Sequence, residues 1–245
     1  MKIAFIPDVQ AKPRQKFQFL TRVGRYLADK RPDVIVQIGD FADMPSLSSY
    51  DKPGSKAFEG RRYKADVAAA KLAMEHLMAP IRDAKDYDPK LELFEGNHEH
   101  RITRATNDAA VLDGLISTAD LEYESHGWRV HPFLQVRVIA GVAFSHYLTS
   151  GVMGRPITTA AAILSKRHQS AMVGHQQGFQ MSTAVRADGR MLTGIIAGSC
   201  YEHDEEYLGP QGNKHFRGIV MLHDVRDGEF EVMPVSLRFL AKRYK

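Results

Sequence analysis

An α/β fold is what this sequence predicts, on three observations. The first is length: 245 residues lie near the upper end of what one hydrophobic core serves, so one domain spanning 1–245 is expected. The second is five short runs rich in Val, Ile, Leu or Phe, each bounded by turn or helix-start residues, as strands buried on both faces of a sheet are. The third is the helical period that replaces them in between.

The elements come in chain order. Ile3 to Ile6 reads as a strand, and Phe17, Leu20, Val23 and Leu27 mark a crossover helix behind it. Val34 to Ile38 is the second strand. The stretch Met44 to Arg62, with Pro45, Pro53, Gly54 and Gly60, reads as a long loop, and loops of that length in compact domains are usually functional or mobile. Tyr63 to Ile81, dense in Ala, Leu, Met and Lys, is the second helix. Leu91 to Phe94, Val142 to Phe144 and Ala171 to Val173 complete the five runs. Beyond Met191 the strands Leu192 to Ala197, Ile219 to His223 and Phe230 to Val235, with Asp227-Gly228 as a hairpin turn, predict a second sheet of the same domain. The basic tail Arg238 to Lys245 reads as a solvated terminal helix.

Composition narrows the class. With 44% apolar and 25% charged residues and no biased tract, the chain is neither disordered, collagenous nor disulfide-rich. No apolar run approaches about 18 residues, and MKIAFIPDV meets Asp8 where a signal peptide would continue, so a cytoplasmic protein without a membrane span is expected. The single Cys200 excludes an intramolecular disulfide and reads as a core residue. A net charge of +4 favours an anionic substrate without demanding nucleic acid.

The residues immediately after each run carry the chemistry: Pro7-Asp8-Val9-Gln10, Gly39-Asp40-Phe41-Ala42-Asp43, Glu95-Gly96-Asn97-His98-Glu99, Ser145-His146 and Gly174-His175-Gln176-Gln177. Loops at the carboxyl ends of strands converge on ligands, so these endings are a spatial expectation. A divalent cation that activates water needs converging carboxylate, imidazole or carbonyl donors, and a pair of cations needs one donor able to bridge them. Asp8, Gln10, Asp40, Asn97, His146, His175 and Gln177 are of the right types and number.

The order D-x-Q, G-D-x-x-D, G-N-H-E, a lone H and G-H-x-Q resembles the calcineurin-like metallophosphoesterases, whose usual pattern is D-x-H, G-D-x-x-D, G-N-H-E/D, H, G-H-x-H. The match runs from Asp8 to Gln177, and Gly198-Ser199 sits where many members carry a similar turn. The extended G-N-H-E-H-R form and the Gln variants look most like phage-encoded members. The resemblance implies a four-layer α/β/β/α sandwich with two mixed sheets. It implies two divalent cations, bridged by Asp40: the first completed by Asp8, Gln10 and Gln177, the second by Asn97, His146 and His175. It also implies that His98 protonates the leaving oxygen or contacts the phosphoryl group, with Asp43 fixing its other nitrogen. Arg101 could reach a phosphate oxygen or lie on a helix surface, and the same holds for His100.

The departure is that Gln10 and Gln177 stand where the family pattern has histidines, making the first site all oxygen and weaker. Ligand softness then favours Mn²⁺, with Mg²⁺, Fe and Zn²⁺ as alternatives. The expected activity is hydrolysis of a phosphate ester by metal-activated water, with a phosphodiesterase of nucleic acid or nucleotides ahead of a phosphomonoesterase or protein phosphatase. A non-catalytic binding module on the same fold is the reading from another class. Two further clusters stand apart: His203 within Tyr201-Glu202-His203-Asp204-Glu205-Glu206 as an added ligand or part of a solvated acidic loop, and Arg61-Arg62-Tyr63-Lys64 as a substrate grip or a solvated helix start. The other histidines read as core or surface residues.

Overall fold

In the computed structural model, which describes residues 1–50, 54–205 and 208–244, the first element is β1 (Ile3–Ile6), buried along its whole length. Ile3 and Phe5 join one apolar cluster while Ala4 and Ile6 join another. Alternation of side chains along a strand forces that split, and both faces being dry is why the run is continuously apolar.

The chain continues through α1 (Gln18–Lys30), β2 (Val34–Gln37), α2 (Tyr63–Arg82), β3 (Lys90–Phe94), α3 (His100–Asp108) and β4 (Arg129–His131). It goes on through β5 (Arg137–Ile139), β6 (Val142–Ser145), the short pair β7 (Thr149–Ser150) and β8 (Arg155–Pro156), and α4 (Ala160–Arg167). It closes with β9 (Ala171–Val173), β10 (Phe179–Val185), β11 (Met191–Ala197), α5 (Gly209–Gly212), β12 (Gly218–Arg226), β13 (Glu229–Ser236) and α6 (Leu237–Arg243).

One sheet has the order β13-β12-β1-β2-β3-β4, the other β10-β11-β9-β6-β5. Both are mixed: β1, β2, β3 and β4 run parallel and β12 pairs antiparallel with β1, while β6, β9 and β11 run parallel and β5 and β10 lie antiparallel at the edges. Between the sheets Phe5 and Phe144 stack at 6.1 Å. Truncating either aromatic there would destabilise the fold by about 3–5 kcal/mol. Helices α1, α2 and α6 cover the outer face of the first sheet through Leu20, Val23, Ala73, Leu77 and Leu240, and α4 covers the second through Ile163. The architecture is thus the four-layer α/β/β/α sandwich.

Eight of the strands are the eight expected from the sequence, with ends within a few residues, but their sheets differ from the expectation: β12 and β13 pair onto β1 in the first sheet, and only β11 joins the second, beside β9 and β6. The strands β4, β5 and β10 go unannounced in the sequence, because each is short or mostly exposed and lacks an apolar run. The tail corrects an expectation: α6 buries Leu237 and Leu240, so it packs rather than floats in solvent, while Lys245 lies outside the described residues. The long loop holds two single-turn helices, Pro45–Leu47 and Lys56–Phe58; its Pro53 is outside the described residues. No helix among the described residues is long and apolar enough to cross a membrane.

Candidate metal centre

The carboxyl ends of β1, β2 and β3 in one sheet and of β6 and β9 in the other meet at a common edge, where their loops are stitched together. Gln10 donates its backbone N–H to the Asp40 carbonyl at 2.8 Å, Gly174 donates to His146 at 2.9 Å, and Cys200 donates to Asp8 at 2.7 Å. Three expected ligands sit in left-handed backbone, Gln10 and Asp40 at φ 50° and His175 at φ 66°. Such conformations cost about 1–3 kcal/mol each and persist where surrounding structure over-determines them, typically at functional sites. Two motif glycines explain themselves by close approach: a Cβ on Gly96 would lie 2.1 Å from Asp40 Oδ1, and one on Gly174 2.4 Å from Asp8 Oδ1.

Donors of the second position face one another. Ligand atoms of Asp40, His146 and His175 lie within 4.8 Å of each other. His146 Nε2 is 3.0 Å from Asn97 Oδ1 and 3.4 Å from Asp40 Oδ2, and its Nδ1–H donates to the Ile38 carbonyl at 2.9 Å. That carbonyl fixes the ring so that Nε2 faces the cluster, as the orienting partners of ligating histidines do. Burial opposes charge on His146, but Asp40, Asp8 and the Ile38 carbonyl together outweigh it and raise the ring to about 9. Burial likewise pushes Asp40 up, and His146 and His98 reverse this and hold it well below the carboxylate range. His175 is pushed down to about 4 by burial and by His146. Two imidazoles, a carboxylate and an amide oxygen converging in this way fit a divalent cation.

At the first position the partners satisfy one another instead. The Gln177 amide donates to Asp8 Oδ2 at 3.3 Å, and its oxygen accepts from the Tyr201 hydroxyl at 2.8 Å. Asp8 also accepts the His175 N–H at 3.1 Å. Burial raises Asp8 to about 7, with His146 opposing and Asp40 reinforcing the shift. Gln10 is buried at 2% exposure. These residues can take an ion only if the Gln177 amide turns to present its oxygen, so the fit here is partial.

Beside the cluster stands the His98–Asp43 pair, Nδ1 to Oδ1 at 2.7 Å, with His98 N donating to Asp40 Oδ1 at 2.9 Å. Arg101 is not on the helix surface: it is 7% exposed, donates to the Asp43 carbonyl at 2.7 Å, and places Nη2 3.1 Å from His98 Nε2. Burial works against charge on His98 while Asp40 and Asp43 raise it; the arginine contact nevertheless requires a bare Nε2. The contact geometry describes a neutral ring with Nδ1–H on Asp43.

No model of a protein family matches the chain. It is 30% identical over 193 residues to the "Gene 54 protein" of Mycobacterium phage D29, covering 74% of this chain and 72% of that relative. Over 191 residues it is 34% identical to the "Gene 54 protein" of Mycobacterium phage L5, with the same coverage of both chains. The chain belongs to this Gene 54 protein family. Among solved structures it is similar to YfcE, a phosphoesterase from E. coli, at 11% identity and TM-score 0.41 over 96% of this chain and 100% of that one. A conserved uncharacterized protein (predicted phosphoesterase) from Streptococcus pneumoniae TIGR4 gives 10% identity and TM-score 0.36 over 97% and 90%.

In this family member several residues at the centre carried no sequence signal of their own. Glu99, fully buried, accepts the N–H groups of Asp40, Ala42 and Gly96 at 2.8–2.9 Å and the Tyr123 hydroxyl at 3.2 Å, clamping two motif loops together. It was visible only as the last letter of G-N-H-E. Lys12 lies 2.7 Å from Glu205 and 3.6 Å from Asp43, and Tyr201 holds Gln177. A cleft of about 1130 Å³ opens from the centre, with Lys12, Arg14, Arg61, Arg62 and Arg101 in its lining. Arg61 also donates to the Pro45 carbonyl, and Tyr63 bonds Asp120, so only part of that basic cluster faces the cleft. His203 bonds Gln15 and Glu205 and stacks on Tyr201 at 4.3 Å, apart from the ligand cluster among the described residues; Glu206 is outside them.

Proposed function

We propose that this chain is a metal-dependent phosphoesterase that cleaves phosphodiesters of nucleic acid or nucleotides. The convergence of Asp40, Asn97, His146 and His175 beside the His98–Asp43 pair carries the reading. Divalent cations bound there, Mn²⁺ ahead of Mg²⁺, Fe or Zn²⁺, supply Lewis acidity and bring water's ionisation toward neutral pH.

The chain's own residues do the rest. Asp40 serves both positions, Asn97, His146 and His175 hold the second, and Asp8, Gln10 and Gln177 hold the first, more weakly. Asp43 keeps the Nδ1–H tautomer of His98, leaving Nε2 to carry a proton to the leaving oxygen. For Nε2 to do so, Arg101 must let go of it, and a phosphate oxygen is the natural replacement acceptor for that guanidinium. Arg14 and Arg62 in the cleft suit phosphates flanking the scissile one, which favours diesters over monoesters. Both sheets lend ligands to one centre, so we read residues 1–245 as a single domain, and as a cytoplasmic one.

The test is a metal-screened assay of bis(p-nitrophenyl) phosphate beside p-nitrophenyl phosphate. Mn²⁺-stimulated, chelator-sensitive diester cleavage is expected. Cleavage of the monoester alone would move the assignment to phosphomonoesterase; no turnover with any of the four metals would leave a non-catalytic module.

A further inference from the structure

We propose that Phe133, Tyr147 and His100 form a nucleobase subsite beside the second metal position, so that the chain prefers phosphate esters bearing a base. This rests on the phosphoesterase reading above and gives it a substrate side. The three rings come from three separate places: the loop after β4, the residue following the ligand His146, and the start of α3 directly after G-N-H-E. They nevertheless meet. His100 stacks on Phe133 at 4.7 Å and 25°, and Tyr147 meets Phe133 edge-on at 5.6 Å and 80°. Tyr147 in turn lies 4.8 Å from the His175 ring and 5.7 Å from the His146 ring, so the cluster abuts two expected ligands. All three rings are only half-buried, and Leu134 beside them is 38% exposed.

Rings that merely shielded the ligands from water would be covered themselves. Open aromatic surface at the most polar spot of a protein instead suits a flat, partly polar group, and every nucleobase offers a π-face to such a platform. Position strengthens the argument. Phe133, Tyr147 and His100 are not among the described residues lining the cleft, which reaches the same centre through Gln10, Asn97, His175 and Gln177. A phosphorus atom held at the centre therefore has a polar cleft of mixed charge, with Arg14, Arg62 and Arg101 in it, on one flank and aromatic rings on another. A diester has substituents on both sides of phosphorus, and in a nucleic-acid strand each side carries a sugar with its base and, beyond it, the next phosphate, so rings on one flank of the centre have a base to stack on whichever way the strand runs.

Calorimetric binding to the Mn²⁺-loaded protein tests this without turnover, using thymidine 5′-phosphate against methyl phosphate. Stacking of one base predicts roughly tenfold tighter binding of the nucleotide. Phe133→Ala should erase that advantage while leaving methyl phosphate affinity unchanged, and Phe133→Trp should restore it. Equal affinity for the two ligands in the native protein, or an advantage that survives Phe133→Ala, would overturn the proposal. So would a parallel loss of both affinities, which would mark Phe133 as structural support. Base preference without ester cleavage would sink only the hydrolase reading, and diester cleavage without base preference only the subsite.

Discussion

The two halves of the centre are built alike, from tight loops after parallel strands, yet their polar groups are paired in opposite ways. In the second half, His146 Nε2 faces Asn97 Oδ1 and Asp40 Oδ2, an arrangement that needs a proton or a cation between its members. In the first half, Gln177 bonds Asp8 and is itself held by Tyr201, so polar groups there are paired already. The lesson is chemical. A neutral amide carries a donor and can satisfy a carboxylate by itself, whereas an imidazole such as His146, with oxygens at both ring nitrogens, must be charged or liganded. On the proposed metal reading, Gln10 and Gln177 are weaker ligands than imidazoles would be, and the Gln177 amide already pairs with Asp8.

The comparison can be broken most severely through the second half. His146→Ala should abolish tight Mn²⁺ uptake, measured by calorimetry, together with phosphoesterase turnover. If tight uptake survives, the ions are held elsewhere. Next in size, His98→Gln should lower kcat by roughly 10² to 10⁴ on an alkyl ester while leaving ion affinity intact. p-Nitrophenyl esters should lose much less, because a good leaving group needs no proton; equal losses on both would exclude the general-acid role.

The first half offers a gain instead of a loss. Gln10→His with Gln177→His should tighten the weaker ion-binding step by at least the roughly tenfold that an orienting partner of a ligand is worth. An unchanged titration curve would remove these residues from the first position.

The smallest effect is a proton. His146 is raised to about 9 from an ordinary 6.5, so its charged form contributes stability that is complete below pH 6.5 and fades as pH climbs through about 9. The ion-free protein should therefore lose thermal stability between pH 7 and 9.5, and the Mn²⁺-loaded protein should be flatter over that range. Uptake at pH 7 should release more than one proton, one from His146 and part of another from Asp8, which is raised to about 7, read from calorimetry in buffers of different ionisation enthalpy. A release of zero would mean that His146 is already neutral.

The legibility of each part depends on where its information resides. Strands such as Ile3–Ile6 and Val34–Gln37 are dry on both faces and announce themselves as apolar runs. The edge strand Phe179–Val185 is largely exposed and gave no such signal. Among site residues, Asp8, Asp40, Asn97, His146 and His175 stood out because each ends or closely follows a strand, where only ligand chemistry explains polar residues in that order. Arg101 could be placed in sequence but its burial could not be foreseen, since a helix position alone does not say what packs over it.

The sequence by itself determined the α/β architecture and the donor types, because burial periodicity and residue chemistry are local properties of the chain. Tertiary structure alone decided that Gln177 turns its amide toward Asp8, that Arg101 lies against His98, and that Phe133 meets His100 and Tyr147. Those contacts join residues far apart along the chain or fixed by side-chain orientation, and they are settled only once the two sheets pack face to face and bring their loops together.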